Sequence, residues 1–286
     1  MAGAPASPIE VRFLDLLFSR RAVLVALVFL SVIVVLCACA PWVARGDPDQ
    51  MNVRARLTEP GAEYWLGADA FGRDVASRLL YAGRVSLGVG LGVAALSSLV
   101  GIAIGLCAGF FRRLDAPLSR LVDAMMAFPD ILLAIALVSI MGGSAINVII
   151  ALSIVYAPRI ARVVRASTLV IRELPFVEAA TALGVTTPSI MVRHVLPNIL
   201  SPIIVQATFI FAYAMLAEAG LSFLGVGIDP STPTWGTMVN EGRQYLDQAM
   251  FLILLPGLAI SISVLALQLI GDGLRDALDP RLARDL

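Results

Sequence analysis

The sequence predicts an all-α, polytopic membrane protein with six transmembrane helices and both termini in the cytoplasm. Three observations carry that expectation. Six long apolar stretches alternate with short polar ones, and about 20 apolar residues in a helix cross roughly 30 Å of hydrocarbon. Of the 286 residues 59% are hydrophobic and the mean hydropathy is +0.89, whereas soluble domains average about 45–50% apolar residues. Finally, six spans with both ends inside place 14 of the 21 arginines in the cytoplasm: Arg12, Arg20, Arg21, Arg112, Arg113, Arg120, Arg159, Arg162, Arg165, Arg172, Arg193, Arg275, Arg281 and Arg284. Six of the other seven lie in the first loop or at its end, as the positive-inside rule prefers. Every basic residue is arginine, and 21 acidic residues balance the 21 basic ones. The missing lysine reads as coding bias, and no global charge points to nucleic acid.

Residues 1–21 hold a short amphipathic piece, 9–18, expected along the inner membrane surface. Residues 22–40 carry no charge and form the first span. Ser19-Arg20-Arg21, Leu36-Cys37-Ala38-Cys39 and Ala38-Cys39-Ala40 imitate export or cleavage signals. A signal peptide's apolar region is usually about 7–15 residues; this longer run, with further spans behind it, predicts an uncleaved anchor. Cys37, Cys39 and Cys107 all sit in apolar runs, a pattern that suits neither a disulfide framework nor a zinc site.

Charges of both signs return in residues 41–84, expected to be an extracytoplasmic loop. The core, 85–271, holds the other five spans. In the second span, 85–110, Gly88 and Gly92 are four apart, as are Gly101, Gly105 and Gly109, so small residues on one face invite close approach by another helix. Gly88-Val89-Gly90-Leu91-Gly92 has the wrong spacing for a dinucleotide loop, and no Lys-Ser or Lys-Thr follows as in a P-loop. The third span, 118–141, contains Arg120 and Asp123, three apart and able to pair. It also contains Asp130 beside Pro129; a carboxylate inside a span faces a cavity or a neighbour, or lies near a helix end satisfied by backbone or headgroup. Gly142-Gly143-Ser144 makes an outside turn, 145–158 forms most of the fourth span, and Arg159, Arg162 and Arg165 follow on one helical face. The fifth span, 201–224, carries Glu218, which either lines a path or bonds a neighbouring helix. The sixth, 249–270, is kinked at its entry by Pro256, and 272–286 form a cytoplasmic tail.

Between the fourth and fifth spans lies a polar island of 20 residues, Glu178 to Pro197. Pro175 suits a first helical turn, because its missing N–H has no partner there. Gly184 stops that helix, Thr187 and Pro188 read as an N-cap and N1 pair, and Pro197 closes the second short helix. The product is a helical hairpin, 175–197, too polar for lipid and suited to docking.

Glu178, Ala179, Ala180, Gly184, Leu196 and Pro197 resemble the cytoplasmic loop motif of ABC importer permeases. Tyr64-Trp65-Leu66-Gly67-Ala68-Asp69, Phe71-Gly72-Arg73-Asp74, Leu216 to Gly225, Pro233-Thr234-Trp235-Gly236 and Gly271-Asp272-Gly273-Leu274-Arg275-Asp276 resemble the signatures of its dipeptide and oligopeptide branch, which nickel-chelate permeases share. The resemblance runs from about residue 64 to the end of the sequence. It implies a type I ABC importer permease fold and the C-type subunit of a permease pair, multi-pass in a bacterial plasma membrane. The implied partners are a related B-type permease, two ATPase subunits holding ATP and Mg, and an extracytoplasmic solute-binding protein; the implied cargo is a dipeptide or oligopeptide. It makes the hairpin the coupling element, with Glu178, Ala179, Ala180, Gly184, Ser189, His194, Leu196 and Pro197 as candidate ATPase contacts. Asp130 and Glu218 are candidates for the translocation path. The chain itself is expected to need no cofactor or metal and to hydrolyse nothing: it has no Walker A sequence, and His194 is its one histidine. The reading from another class is an ion-gradient-driven secondary transporter, which would show inverted repeats and buried coupling charges.

Overall fold

The computed structural model describes residues 21–278. The amphipathic piece at 9–18, Arg12, Arg20, and the tail from 279 onward with Arg281 and Arg284 lie outside the described residues. Among those described the fold is helical, with one isolated bridge between Ala68 and Asp74 and no strand. Its principal helices are α1 Arg21–Ala38, α2 Val75–Phe110, α3 Arg112–Met126, α4 Asp130–Met141, α5 Ala145–Ile171, α6 Pro175–Ala182, α7 Thr187–Ile190, α8 Leu200–Phe223, α9 Trp235–Gly242 and α10 Phe251–Leu278. Among the described residues five helical stretches are long and apolar enough to cross a membrane: α1, α2, α5, Thr187–Phe223 and α10. The bent pair α3 and α4 makes six if it counts as one span.

That pair departs from the straight third span expected at 118–141. The chain turns by 91° between α3 and α4. Pro129 has no N–H to give and sits in an extended conformation at φ −59°, ψ 126°, so the helical ladder cannot pass through it. Of α3's residues only Val122 is buried. Asp123 bonds Arg162 across the fold at 2.7 Å instead of pairing with Arg120.

The second span begins earlier than the hydropathy suggests. α2 starts at Val75, where the Asp74 carboxylate caps it by accepting from the Ser77 amide at 2.8 Å, and its charged first turns are held by ion pairs. Arg73, 7% exposed, reaches Asp69 at 2.5 Å and Glu241 at 2.7 Å. Arg78, 1% exposed, reaches Glu241 at 3.3 Å. Hydropathy counts those charges as solvent-seeking; the fold buries them in pairs. Gly72 permits the tight loop before α2, since a Cβ there would lie 1.8 Å from the Asn52 carbonyl oxygen.

α2 packs along α5 through the Gly101, Gly105, Gly109 stripe. A Cβ at Gly105 would stand 2.6 Å from the Ala161 carbonyl oxygen, and one at Gly109 would stand 2.6 Å from Thr168 Cβ. The backbones are therefore as close as glycine allows. Gly88, by contrast, faces open space. The largest core joins α2, α4, α5 and α8 to the hairpin. A second gathers α2, α9 and α10 around Trp235, 1% exposed, whose indole N–H donates to the Leu79 carbonyl at 3.0 Å. Thr234 and Thr237 bond each other at the N-terminus of α9 as a capping box. Thus Pro233-Thr234-Trp235-Gly236 builds a short inserted helix, an element that hydropathy alone did not reveal. α1 lies against α10 and leaves Val25, Val28, Phe29 and Val32 exposed.

Candidate functional site: the 175–197 hairpin and its mount

Pro175 is the first residue of α6, with Leu174 extended before it at φ −80°, ψ 146°. Glu178 lies in the first turn. The helix ends in a Schellman motif: the Val185 amide donates to the Ala180 carbonyl at 3.1 Å, the Gly184 amide donates to the Thr181 carbonyl at 3.0 Å, and Gly184 has φ +76°. Only glycine adopts that left-handed backbone without cost. α7 follows one residue earlier than the Thr187 N-cap would require. Thr186 is its N-cap, without a side-chain bond, and Pro188 is the second helical residue.

Pro197 does not close the hairpin's second limb. A π-turn, Met191–Val195, and a 3-10 turn, Leu196–Ile199, carry the chain directly into α8. The proline's missing N–H and its ring's conflict with the carbonyl four residues earlier disturb the α-ladder, and the chain stays helical by widening before the proline and tightening after it.

One side of the hairpin is anchored. Val177, Ala180, Ile190, Val195 and Ile199 are buried in the core that contains Val155, Ile160 and Val164 of α5. The other side is bare: Phe176 is 41%, Leu183 84% and Val192 58% exposed. Of the sequence candidates, Glu178, Ala179, Gly184 and Pro197 are exposed, Ser189, His194 and Leu196 are half-buried, and Ala180 turns into the core. The Nδ1 atom of His194 is enclosed without a hydrogen-bond partner. Phe176, Leu183 and Val192 escaped sequence reasoning because an apolar residue in a membrane protein is assumed to be covered.

A ladder of ion pairs supports the hairpin's approach. Along α5, Arg159 bonds Asp130, Arg162 bonds Asp123 at 2.7 Å, and Arg165 bonds both oxygens of Asp115 at 2.5 and 3.1 Å. Arg172 then donates to the Gly109 carbonyl at 2.6 Å. The arginines' helical spacing was visible in the sequence; their partners were not, because the 91° bend decides which acids face α5. Asp130 thus sits in an ion pair. Glu218 is fully buried, accepting from Ser222 Oγ at 2.8 Å and from Ser86 Oγ of α2 at 3.2 Å. Ser86 Oγ in turn accepts from the Trp235 amide at 3.1 Å. In the 225–232 loop, the Ser231 side chain and amide hold the Asp229 carboxyl below its usual range. Among the described residues no group of three His, Cys, Asp or Glu side chains could hold a metal ion.

The arrangement is a surface mounted on the main core, with one side buried and the other exposed. Residues 98–284 match the family described as "binding-protein-dependent transport system inner membrane component". Residues 12–60 match the "N-terminal TM domain of oligopeptide transport permease C". A Brucella suis protein, provisionally named a peptide transport system permease, is 50% identical over 93% of this chain and 90% of its own length. The dipeptide transport system permease protein DppC of Alkalihalophilus pseudofirmus is 42% identical over 96% of this chain and 91% of its own. Among solved structures, the inward-facing MetNI methionine ABC transporter is similar in fold, with a TM-score of 0.57 and 20% identity over 70% of this chain and 96% of that one.

Proposed function

We propose, from the premise that this chain belongs to the family of binding-protein-dependent transport system inner membrane components, that it moves dipeptides or oligopeptides across a bacterial plasma membrane as the C-type permease of an ATP-driven importer. Peptide cargo follows the names of relatives such as the DppC protein of Alkalihalophilus pseudofirmus. Its companions are a related B-type permease, two ATPase subunits that hold ATP and Mg, and an extracytoplasmic binding protein. The chain contributes no ATP-hydrolysing residues.

The observation that carries this reading is the hairpin, with an exposed apolar face of Phe176, Leu183 and Val192 on one side and a buried anchor in the α5 and α8 core on the other. An ATPase groove covers the exposed face. Glu178 pairs there with an ATPase arginine, its charge favoured at the helix's first turn. When two ATPase subunits close on ATP, the hairpin moves and α5 moves with it, because packed helices shift as bodies more readily than they deform. The glycine stripe transmits the movement to α2, and the arginine ladder transmits it to α3 and α4. The work comes from a difference in ATPase affinity between inward-open and outward-open states, since a partner that binds both equally shifts neither.

Glu218 serves this movement indirectly, tying α8, α2 and the α9 insertion into one outer block. The test is uptake into vesicles holding the reconstituted complex. Peptide should accumulate with ATP in the presence of a protonophore. Uptake that fails whenever the ion gradient alone is collapsed would favour a secondary transporter, and uptake of a nickel chelate instead of peptide would reassign the cargo.

A further inference from the structure

Arg159, expected from the sequence on the cytoplasmic side, instead lies within α5, a helix long and apolar enough to cross a membrane, where it forms a charged pair with Asp130 of α4. At about 1.5 Å per residue, Arg159 stands roughly 21 Å along α5 from Ala145 and roughly 18 Å from Ile171. The pair is only partly covered: the side chains are 31% and 35% exposed. Two tyrosines frame it, the Arg159 guanidinium carbon lying 5.3 Å from the ring centres of both Tyr156 and Tyr213, and Tyr213 is itself 43% exposed. Partly bare charges at this depth cannot face hydrocarbon cheaply; they face a protein neighbour or a water-filled cavity.

Both carriers of charge sit next to weak points in their helices. Asp130 follows Pro129 at the 91° bend. Arg159 follows Pro158, a proline inside α5 that cannot donate to the carbonyl four residues before it.

We infer that Arg159 and Asp130, framed by Tyr156 and Tyr213, form a binding site on the translocation path for the two charged ends of a zwitterionic peptide. In its absence the two side chains neutralise each other and hold α4 against α5. A passing peptide offers its carboxylate to Arg159, whose flat fork of donors suits that group, and its ammonium to Asp130, while the exposed Tyr213 ring covers the peptide backbone. The pair is thus both a latch and a recognition element. This inference rests on the importer reading above and adds the residues and chemistry of one site on the path.

The test uses the assembled complex in vesicles, with Tyr213→Cys placed on a Cys37→Ala, Cys39→Ala, Cys107→Ala background and probed with a charged, water-soluble thiol reagent. The expected result is modification of the introduced thiol that slows about fivefold during turnover with dipeptide-loaded binding protein, with the slowing lost on adding Arg159→Gln. Modification by an apolar maleimide alone, no modification by either reagent, or a rate indifferent to peptide would each overturn the inference. The last but one would instead place this face against the companion permease. A second measurement needs no cysteine replacement. Arg159→Gln should cut dipeptide uptake about tenfold, the loss expected from one charge-assisted hydrogen bond, with Arg159→Lys recovering part of the uptake. Undiminished uptake in Arg159→Gln would contradict the assignment while leaving the importer reading intact. Absence of ATP-driven uptake in the unsubstituted complex would remove the importer reading itself.

Discussion

Gly184 allows conformation and bulk to be separated at the hairpin. Its φ of +76° belongs to the left-handed region, and a Cβ added there would meet nothing within 4 Å. Substitution therefore costs conformational energy alone within this chain. For an ordinary residue that cost is about 1–2 kcal/mol, and it is greater for a β-branched one, whereas asparagine tolerates the region better. At about 1.4 kcal/mol per factor of ten, an ordinary side chain at 184 lowers the weight of the present hairpin geometry by roughly 5- to 30-fold against any alternative, and Gly184→Val lowers it further. Gly184→Asn adds similar volume with a smaller penalty. The assay is peptide moved per ATP hydrolysed in vesicles, with assembly checked by size. Gly184→Val should lower that ratio severalfold in a complex that still assembles, and Gly184→Asn should stay near the parent. Equal damage from both would mean that bulk at the interface matters and not the Schellman turn. No damage from Gly184→Val would refute the role of the hairpin's shape.

Three further outcomes follow from the packing. Gly105→Leu should abolish folded protein, because even its Cβ would lie 2.6 Å from backbone at Ala161, whereas Gly88→Ala should leave the isolated chain's melting temperature in detergent unchanged. Glu218→Ala strands the Ser86 and Ser222 hydroxyls that now donate to it and should cost about 1–3 kcal/mol of stability, seen as a lower melting temperature that Glu218→Gln largely restores. In the ladder, Arg162 and Asp123 are 53% and 65% exposed and Arg165 and Asp115 about half that. Double-mutant cycles should give less than about 1 kcal/mol for the outer pair and a larger coupling for the bidentate Arg165–Asp115 pair.

Much of this architecture was legible in the sequence because membrane helices must satisfy their own backbone and so advertise themselves as apolar runs. The Gly101, Gly105, Gly109 stripe announced a close helix contact, and Gly184 announced a turn. The partner of each was hidden: spacing says that one face is small and never which helix arrives there. Charges misled most. Arg73 and Arg78 made the start of α2 resemble loop, since the carboxylates that neutralise them lie at Asp69 and, far along the chain, at Glu241. Pro129 and Pro197 look alike on paper, yet one bends the chain by 91° and the other is absorbed by a π-turn and a 3-10 turn. The difference lies in what surrounds them. Ile190, Val195 and Ile199 are buried in the main core and hold the 187–200 segment in line, while α3 buries only Val122 and is free to turn away.

The central claim is that the exposed face of the 175–197 hairpin meets an ATPase. A photoreactive residue placed at Ala182, which is exposed, or at half-buried Ser189, in the complete complex within membranes, tests it most directly. The account expects crosslinks to the ATPase subunit from both positions, with an intensity that changes between ATP-bound and nucleotide-free states. Crosslinks to the binding protein instead, or none to any ATP-hydrolysing partner in either state, would contradict it.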